Sequence, residues 1–251
     1  MSSNNHPAID LTLVCGRRPE LLSQTLQSFQ QMVFRHFRID MVYVNIDPFG
    51  GDQIDHERCR SLVLEYFPNA AISEPETASF GRAVKMLWSQ VKSPFVLHLE
   101  DDWLALEPIT PDRLFPLFKG RTRAVRLVSK ELGWNGRDEI HRRTTKLRLL
   151  GLTIWKRKSS IFGTSPAFFS GDFVKQCSEL MIPDLDPEKQ QRLHINQPLA
   201  NFTSHYECRV LPGTEQAEII MDIGRKWREE RGILKKTKKG KSAWSGDRTS
   251  A

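Results

Sequence analysis

Three consecutive carboxylates, Glu100, Asp101 and Asp102, follow directly on the mostly apolar run 95–99. Carboxylates crowded at a strand end repel one another and lose hydration, so a cation is their natural partner. Hard oxygen ligands suit Mg²⁺ or Mn²⁺ better than Zn²⁺, and such ions often bind substrate phosphates as well. The triplet indicates a metal-dependent enzyme acting on a nucleoside diphosphate; the alternative is a solvated loop that opens before Pro108.

The first hundred residues alternate strand and helix patterns, which is typical of a parallel α/β sheet. The patterns predict strands at 9–14, 38–46, 70–73 and 95–100, and helices at 19–33, 55–66 and 80–91. Ligands of such sheets bind at the carboxyl ends of the strands. Residues 15–18, Asp47 and the acidic triplet are therefore expected to meet in one crevice.

The second half of the chain is less regular. Its patterns predict strands at 124–128, 167–170, 207–211 and 218–223, with helices at 172–181, at 187–200 and from Gly224. The predicted fold class is α/β, with a mostly parallel central sheet flanked by helices and a smaller mixed region.

The composition indicates one soluble domain with a basic tail. A hydrophobic content of 39% in 251 residues is enough for a substantial core. The sequence has no long apolar run, and its N-terminus lacks the pattern of a signal peptide, so we expect a cytoplasmic protein. The four cysteines are far apart, which favours reduced thiols.

Positive charge is concentrated in two segments. Residues 235–251 carry five of the seven net positive charges, and their Gly, Ser and Lys content predicts a disordered tail. Its role is either solubility or peripheral contact with an anionic membrane. A second cluster predicts an anion-handling loop or an exposed face, and comprises Arg137, His141, Arg142, Arg143, Lys146, Arg148, Lys156, Arg157 and Lys158.

Taken in order, three segments resemble glycosyltransferases of the GT-A fold, especially the family-2-like group. Residues 9–29, IDLTLVCGRRPELLSQTLQSF, resemble the opening strand, turn and first helix of that family. Residues 42–48, VYVNIDP, resemble the strand whose terminal Asp contacts the nucleotide base. Residues 79–103 resemble the helix and strand that lead into the DxD metal motif, here in a Glu-Asp-Asp form.

The resemblance implies a Rossmann-like, GT-A-like domain. Residues 1–105 would form the half that binds the nucleotide sugar, residues 106–234 the acceptor half, and residues 235–251 the basic tail. The implied activity is metal-dependent, inverting transfer of a hexose to a glycan, lipid-linked or other hydroxyl acceptor. The implied donor is a nucleoside-diphosphate sugar, UDP-sugar first, and the implied cofactor is Mn²⁺ or Mg²⁺.

The same resemblance implies roles for the acidic residues. Asp102 would be the direct metal ligand, and Glu100 and Asp101 would reach the sugar, the ribose or metal-bound water. Asp222, in the late segment IIMDIGRKW, stands where some GT-A enzymes supply a metal ligand. An Asp at that place can equally cap the helix that follows.

Asp47 would accept hydrogen bonds from the base or ribose; without the resemblance it is a turn-forming Asp before proline. Three basic residues are implied as phosphate or base contacts, namely Arg17, Arg82 and Lys85. Arg18 and Glu20 are expected to pair on the surface.

Inversion requires a carboxylate that deprotonates the acceptor hydroxyl. Glu188, in DLDPEKQQRL, stands where the family carries an acidic pair and is the predicted base. The usual Glu-Asp pair is absent here, so Asp172 and Asp186 remain alternatives. Without the resemblance, Glu188 merely gives the start of a helix a favourable charge.

A protein that binds nucleic acid or another polyanion is the rival hypothesis, using residues 137–158 and the tail. Against it, the rest of the chain is only slightly basic, and no helix-turn-helix, zinc or base-stacking signature is evident. No nucleic-acid partner is therefore expected. A nucleotidyltransferase is a third alternative, but its Gly-rich loop after the first strand is missing.

Overall fold

The computed structural model describes residues 6–149, 152–238 and 241–245. The strands are β1 (Ile9–Cys15), β2 (Ile39–Ile46), β3 (Ala71–Ser73), β4 (Phe95–Glu100), β5 (Trp103–Ala105), β6 (Thr122–Leu127), β7 (Arg142–Leu149), β8 (Leu152–Ser160), β9 (Ala167–Ser170), β10 (Glu207–Leu211), β11 (Ile220–Asp222), β12 (Leu234–Lys238) and β13 (Lys241–Ser245). The helices are α1 (Pro19–Met32), α2 (Gln53–Tyr66), α3 (Phe80–Gln90), α4 (Pro111–Leu114), α5 (Gly171–Leu180), α6 (Gln197–Ser204) and α7 (Gly224–Glu230).

The central sheet has seven strands in the order β10-β6-β9-β4-β1-β2-β3. All neighbours pair in parallel except at β9, which runs antiparallel to both β4 and β6. Two-stranded sheets formed by β5 with β11 and by β7 with β8 add the smaller mixed region. The predicted α/β class with a mostly parallel sheet is confirmed.

Helices cover both faces of the sheet, which explains why β1 is buried along its whole length. Side chains of α1 and α2 pack with alternate residues of β1 and β4 in one cluster, which includes Leu11, Leu13, Leu22, Leu26, Phe29, Val63 and Leu97. The opposite cluster is built from α3 and α5 and includes Val84, Leu87, Trp88, Val96 and Phe173. The apolar residues whose helical spacing predicts α1 and α3 therefore face the core.

The predicted helix at 187–200 is wrong. Its first part forms only a 3₁₀ turn at Lys189–Gln191, and α6 begins after Asn196. The Asn196 side chain accepts a hydrogen bond from the Leu199 N–H (3.2 Å), and Pro198 lies in the first turn. This cap defines the start of α6 more strongly than the apolar spacing does.

The basic segments contain regular backbone where the sequence predicts a loop and a disordered tail. Strands β7 and β8 pair antiparallel, as do β12 and β13. The basic side chains at 143–159 and residues 239–240 and 246–251 lie outside the described residues, so the roles predicted for them stay predictions. In the described part of the chain, none of the helices has the length and apolar character needed to cross a membrane.

Buried Asp10 fastens the sheet at the edge opposite the acidic triplet. One carboxylate oxygen, Oδ2, accepts hydrogen bonds from the backbone N–H groups of Lys92 (2.7 Å) and Ser93 (3.0 Å). The other, Oδ1, accepts one from the Ser93 hydroxyl (2.8 Å). These bonds tie the turn between α3 and β4 to the start of β1, and so hold the two central strands in register.

Replacing Asp10 by Ala should lower the free energy of unfolding by about 2–4 kcal/mol, because it leaves two backbone donors and a hydroxyl buried without a partner. Urea denaturation of both proteins measures the difference. The control is Asp40→Ala, since Asp40 is exposed and forms a surface ion pair with Arg38 (3.6 Å). It should change stability by less than about 0.5 kcal/mol. Equal effects of the two substitutions would contradict the role given to Asp10.

Candidate active site

A cleft of about 680 Å³ opens at the carboxyl ends of β1, β2 and β4. The parallel register places Val14 opposite Glu100 and Cys15 opposite Ile46, so these strand ends meet at one edge. Six of the predicted site residues line the cleft, namely Asp47, Glu100, Asp101, Asp102, Glu188 and Asp222. The expected convergence of three separate sequence features at one crevice is therefore present.

Arg18 holds the two aspartates of the triplet. Its Nε donates to Asp101 Oδ2 (3.2 Å), its Nη2 contacts Asp101 Oδ1, and its Nη1 donates to Asp102 Oδ2 (3.2 Å). The backbone N–H of Gly16 donates to Asp101 Oδ2 as well (2.9 Å). All three charged side chains are buried, so Arg18 supplies the counter-charge that two adjacent carboxylates require.

The expected surface pair of Arg18 with Glu20 is wrong. Pro19 begins α1, and Arg18, the residue directly before it, has non-helical backbone angles (φ −129°, ψ 67°). Its guanidinium lies over the rings of Phe49 (5.6 Å) and Trp227 (5.4 Å), which cover it from solvent. Sequence reasoning missed this because Trp227 is more than two hundred residues away along the chain.

Burial and charge set the pKa values of this group in opposite directions. Burial raises the pKa of Asp101 above its ordinary range, although Arg18 opposes that change and Asp102 adds to it. Burial alone would lower the pKa of Arg18, but the two carboxylates outweigh it and raise that pKa instead. Arg18 is therefore a permanent cation in the floor of the cleft.

Helix α7 brings a second arginine to Asp102. Arg228 Nη1 donates to Asp102 Oδ2 (2.9 Å), and Arg228 Nη2 lies 3.6 Å from Asp222 Oδ2. The Ile223 N–H donates to the backbone carbonyl of Asp102 (2.9 Å). A Cβ added to Gly224 would lie 1.9 Å from Asp102 Oδ2, so only glycine lets the helix begin here. The C-terminal part of the domain thus closes one side of the cleft.

Asp222 lies at the start of α7, as one of the two roles considered from sequence requires, and its role as a metal ligand stays a prediction. Its Oδ1 accepts a hydrogen bond from the Arg225 N–H in the first turn of α7 (2.9 Å). Burial and the neighbouring Asp102 raise its pKa. Sequence reasoning identified Asp222 but not Arg225 or Arg228. The sequence contains a pattern that could have identified them. Asp222, Arg225 and Arg228 are spaced by three, which places their side chains on one side of a helix start.

Asp102 and Asp222 have the donor chemistry of a Mg²⁺ or Mn²⁺ site, since both offer carboxylate oxygens at the same end of the cleft as Glu100. Arg228 already lies between the two aspartates. Within the described ranges, no three His, Cys, Asp or Glu side chains form a group that could hold a metal ion. A divalent cation bound to these two aspartates would therefore have to compete with the Arg228 guanidinium for the same oxygens.

Asp47 lies at the end of β2 on the other side of the cleft. One oxygen, Oδ1, accepts from the Asn45 side-chain amide (2.8 Å), and the other accepts from the Ser79 N–H (3.2 Å). Burial raises the pKa of Asp47, while these two hydrogen bonds oppose the change. Asp47 therefore ties β2 to the start of α3 and faces the cleft at the same time.

The three predicted basic contacts do not line the cleft with the acids. Arg82 forms an ion pair with Asp184 (2.9 Å) on the surface. The Lys85 ammonium donates to the carbonyls of Ser178 (2.6 Å) and Met181. The Nε of half-buried Arg17 has no hydrogen-bond partner among the described residues. Their roles as phosphate or base contacts stay predictions.

Glu188 lines the cleft from the second half of the chain. Its Oε1 accepts hydrogen bonds from the N–H (2.9 Å) and hydroxyl (3.4 Å) of Thr164. Asp186 Oδ1 accepts from the N–H groups of Glu188 (3.0 Å) and Lys189 (3.1 Å) and so fixes the backbone at this point. Thr164 and Asp186 together hold the Glu188 carboxylate toward the cleft.

Asp172 does not join this group. Because β9 runs antiparallel to β4, its last residue, Ser170, pairs with Phe95 at the first residue of β4. Asp172 follows in the exposed first turn of α5, where it accepts a hydrogen bond from the Phe173 N–H (2.8 Å). The structure therefore places it at the edge of the sheet opposite the acidic triplet.

No protein-family model and no curated protein matches this sequence. Among solved structures, the fold is similar to the mannosyltransferase PcManGT from Pyrobaculum calidifontis in complex with GDP-Man and Mn²⁺, with a TM-score of 0.59 and 13% identity over 91% of this chain and 61% of that chain. It is similar to GalNAc-T7 with UDP, GalNAc and Mn²⁺, with a TM-score of 0.56 and 11% identity over 88% and 44%. It is also similar to S. aureus TarS 1–349 in complex with UDP-GlcNAc, with a TM-score of 0.53 and 16% identity over 85% and 58%.

These likenesses confirm the predicted GT-A fold. At such low identity they concern the architecture alone, and the chain spans less than two thirds of the length of each of these proteins. The assignment to the family-2-like group stays a prediction.

Replacing Arg18 by Gln should lower the free energy of unfolding at neutral pH by about 3–5 kcal/mol, because two buried carboxylates lose their counter-charge. The folded-state pKa of Asp101 is already raised and should rise further, so stability is lost as pH rises above the unfolded-state pKa. The penalty should therefore shrink as pH falls toward 4. Denaturation between pH 4 and pH 8 measures it, with Arg38→Gln as a surface control. A penalty that grows on acidification would contradict this account.

Proposed function

We propose that this chain is a glycosyltransferase that transfers a hexose from a nucleoside-diphosphate sugar, UDP-sugar first, to a hydroxyl acceptor with inversion. The observation that supports it most is the arrangement of carboxylates in the GT-A cleft. Asp47 lies on one side, Glu188 on the other, and the acidic triplet lies between them. The reaction needs a site for the nucleotide, a centre that stabilises the charge of the leaving diphosphate, and a base. Asp47, the acidic triplet and Glu188 would serve these roles in that order.

The donor would bind along the ends of β1, β2 and β4. Its base or ribose would lie near Asp47, which faces the cleft. Its diphosphate would lie near Arg225 and Arg228, which also line the cleft. Negative charge develops on the diphosphate as the sugar bond breaks, and fixed positive groups stabilise it without having to reorganise. Arg225 can act on the ligand directly, and Arg228 can do so once a cation replaces its contacts with Asp102 and Asp222.

A divalent cation, Mn²⁺ or Mg²⁺, is part of the proposal, because two of the similar structures contain Mn²⁺. Asp102 and Asp222 would hold it, in exchange for their contacts with Arg228. When bound, such an ion supplies positive charge to the oxygens of a leaving diphosphate. Glu100 and Asp101 would orient the sugar or ribose, as the resemblance implies.

Glu188 is the proposed base. In an inverting displacement the acceptor oxygen attacks the sugar carbon opposite the leaving group, and its proton must pass to a carboxylate. Glu188 Oε1 is held by Thr164, whereas Oε2 accepts no hydrogen bond from the described residues. Asp186 is engaged in fixing the backbone, and Asp172 lies at the other edge. Glu188 therefore suits the role better than either alternative.

The acceptor would be a glycan, a lipid-linked glycan or another hydroxyl compound. The cytoplasmic location and the peripheral contact of the basic tail with an anionic membrane remain part of the proposal. A nucleic-acid-binding protein is the alternative. It would bind polyanions with steep salt dependence and would ignore nucleoside diphosphates.

Calorimetric titration of UDP and GDP, with and without Mn²⁺, tests the donor site. One nucleotide should bind in a metal-dependent manner, and Asp102→Asn should abolish that dependence. Glu188→Gln should bind the nucleotide normally but transfer sugar at least about a hundredfold more slowly, because only the proton acceptor is lost. Transfer is measured with the matching donor and an acceptor panel.

Glu179→Gln on the exposed face of α5 is the control for the loss of a carboxylate. Thermal unfolding of each variant separates loss of ligand from loss of fold. Binding of neither nucleotide to the wild-type protein would refute the donor site, and normal transfer by Glu188→Gln would refute the base.

Replacing Arg228 by Gln should increase the affinity for Mn²⁺ alone by about tenfold, because it removes the cation that contacts both Asp102 and Asp222. Calorimetry or electron paramagnetic resonance measures this change in affinity when Mn²⁺ is titrated into the protein without nucleotide. The control is Lys226→Gln, since Lys226 is exposed and 3.9 Å from Glu230. An unchanged or weaker affinity for Mn²⁺ in Arg228→Gln would show that the arginine and the ion do not share a site.

A further inference from the structure

Arg126 is a buried arginine in the same cleft, and its environment differs from that of Arg18. It lies on β6, one residue before the strand ends, and is 8% exposed. Its Nη2 donates to the Ser165 hydroxyl, and its Nη1 donates to His141 Nδ1 (3.3 Å). Among the residues that the structure describes, its Nε has no hydrogen-bond partner. Within the described residues, Arg126 forms no ion pair with a carboxylate, whereas Arg18 contacts two.

An arginine stays protonated at every accessible pH, so this buried guanidinium carries a full charge, and no carboxylate of the described residues forms an ion pair with it. Such a charge is costly in a protein interior unless an anion contacts it. Ser165 and His141 orient the guanidinium but bring no negative charge to it. The side chain faces the cleft, so the missing anion can come from a ligand.

Gly163 places Arg126 beside the proposed base. A Cβ added to Gly163 would lie 2.6 Å from the Arg126 guanidinium carbon and 2.9 Å from Glu188 Oε1. A side chain at this position would force both groups to move. No ion pair joins them, and Glu188 Oε1 accepts its hydrogen bonds from Thr164 instead. Arg126 and Glu188 therefore face the same part of the cleft as separate groups.

The sheet order places Arg126 away from the donor. Arg126 and His98 both pair with Ala167, which belongs to β9 between β6 and β4. Two strand spacings, roughly 10 Å, therefore separate Arg126 from β4. The acidic triplet and Asp47 lie at and beyond β4 in the sheet. An anion held by Arg126 would be next to the base, where the acceptor enters.

We propose that Arg126, oriented by Ser165 and His141, forms a subsite for an anionic group on the acceptor. The ligand chemistry is a phosphate or carboxylate that accepts paired hydrogen bonds from the planar guanidinium. This inference rests on the proposed function and deepens it, because it names the acceptor as a sugar or polyol compound with negative charge. Binding of that anion would hold the acceptor hydroxyl close to Glu188.

Two pairs of small molecules test the subsite, each pair consisting of a charged compound and a neutral counterpart. Nuclear magnetic resonance measures their binding. Glucuronate is compared with glucose, and glycerol 1-phosphate with glycerol, each with and without UDP. The charged member of at least one pair should bind at least about tenfold more tightly than its neutral partner. The pair that shows the larger difference distinguishes a carboxylate-bearing acceptor from a phosphate-bearing one.

Arg126→Gln should lower the affinity for the charged probe by about tenfold and leave UDP binding unchanged. Arg123→Gln is the matched control on the same strand, since Arg123 lies against Tyr206 and outside the cleft. It should change neither affinity. Equal binding of charged and neutral probes, or an unchanged affinity in Arg126→Gln, would overturn the proposal. So would a parallel loss of UDP binding, which would assign the arginine to the donor.

UDP binding to the wild-type protein separates this inference from the proposed function. If UDP binds and the charged probes do not, only the acceptor subsite fails. If the charged probes bind through Arg126 and UDP does not bind, the donor site fails and the anion subsite stands.

Arg126→Met provides the test of folding. Because no carboxylate of the described residues forms an ion pair with the guanidinium, this substitution should not lower the melting temperature. A decrease as large as that of Arg18→Gln would show that Arg126 is a structural residue and would overturn the proposal.

Discussion

Two adjacent aspartates buried at the end of β4 are the constraint around which the site is built. A buried carboxylate is tolerated only when cations and hydrogen-bond donors surround it. Arg18 and the Gly16 N–H meet this requirement for Asp101, and Arg18 with Arg228 meets it for Asp102. The turn before α1 and the start of α7 are therefore shaped by charge as much as by apolar packing.

Under the proposed function, this arrangement would couple folding to ligand binding. The oxygens that would hold a divalent cation are the same oxygens that hold α7 against the sheet through Arg228. If a divalent cation took those oxygens, the Arg228 guanidinium would become available to another anion, such as a diphosphate that binds together with the ion. Trp227 and Ile233 pack against Leu21 of α1, so α7 need not leave its place for the arginine to change partners.

Much of this architecture follows from local sequence patterns. The alternation of strand and helix signals predicts the central strands, and the convergence of Asp47 with the acidic triplet follows from the rule that parallel strands end together. The burial of the Arg18 side chain does not follow from local patterns. Its carboxylate partners lie about eighty residues away along the chain, and Trp227, which covers it, lies still further away. The position of Asp172 was hidden for a similar reason. Strand β9 is short and apolar, and nothing in its four residues indicates that it runs against its neighbours.

Charge compensation differs between the two sides of the cleft, and this difference supports the proposed separation of donor and acceptor. On the side of β1 and β4, each buried aspartate of the triplet already has a cation, so a ligand there must exchange partners with the protein. On the side of β6, Arg126 is buried beside Ser165 and His141 and forms no ion pair within the described residues, so an anionic ligand there would add the direct contact that the guanidinium lacks. Exchange would keep the side of β1 and β4 stable when it is empty, whereas a buried guanidinium without an ion pair would lower the stability of the empty side of β6. If the proposed acceptor binds there, it would bind most favourably when it carries an anion beside Glu188.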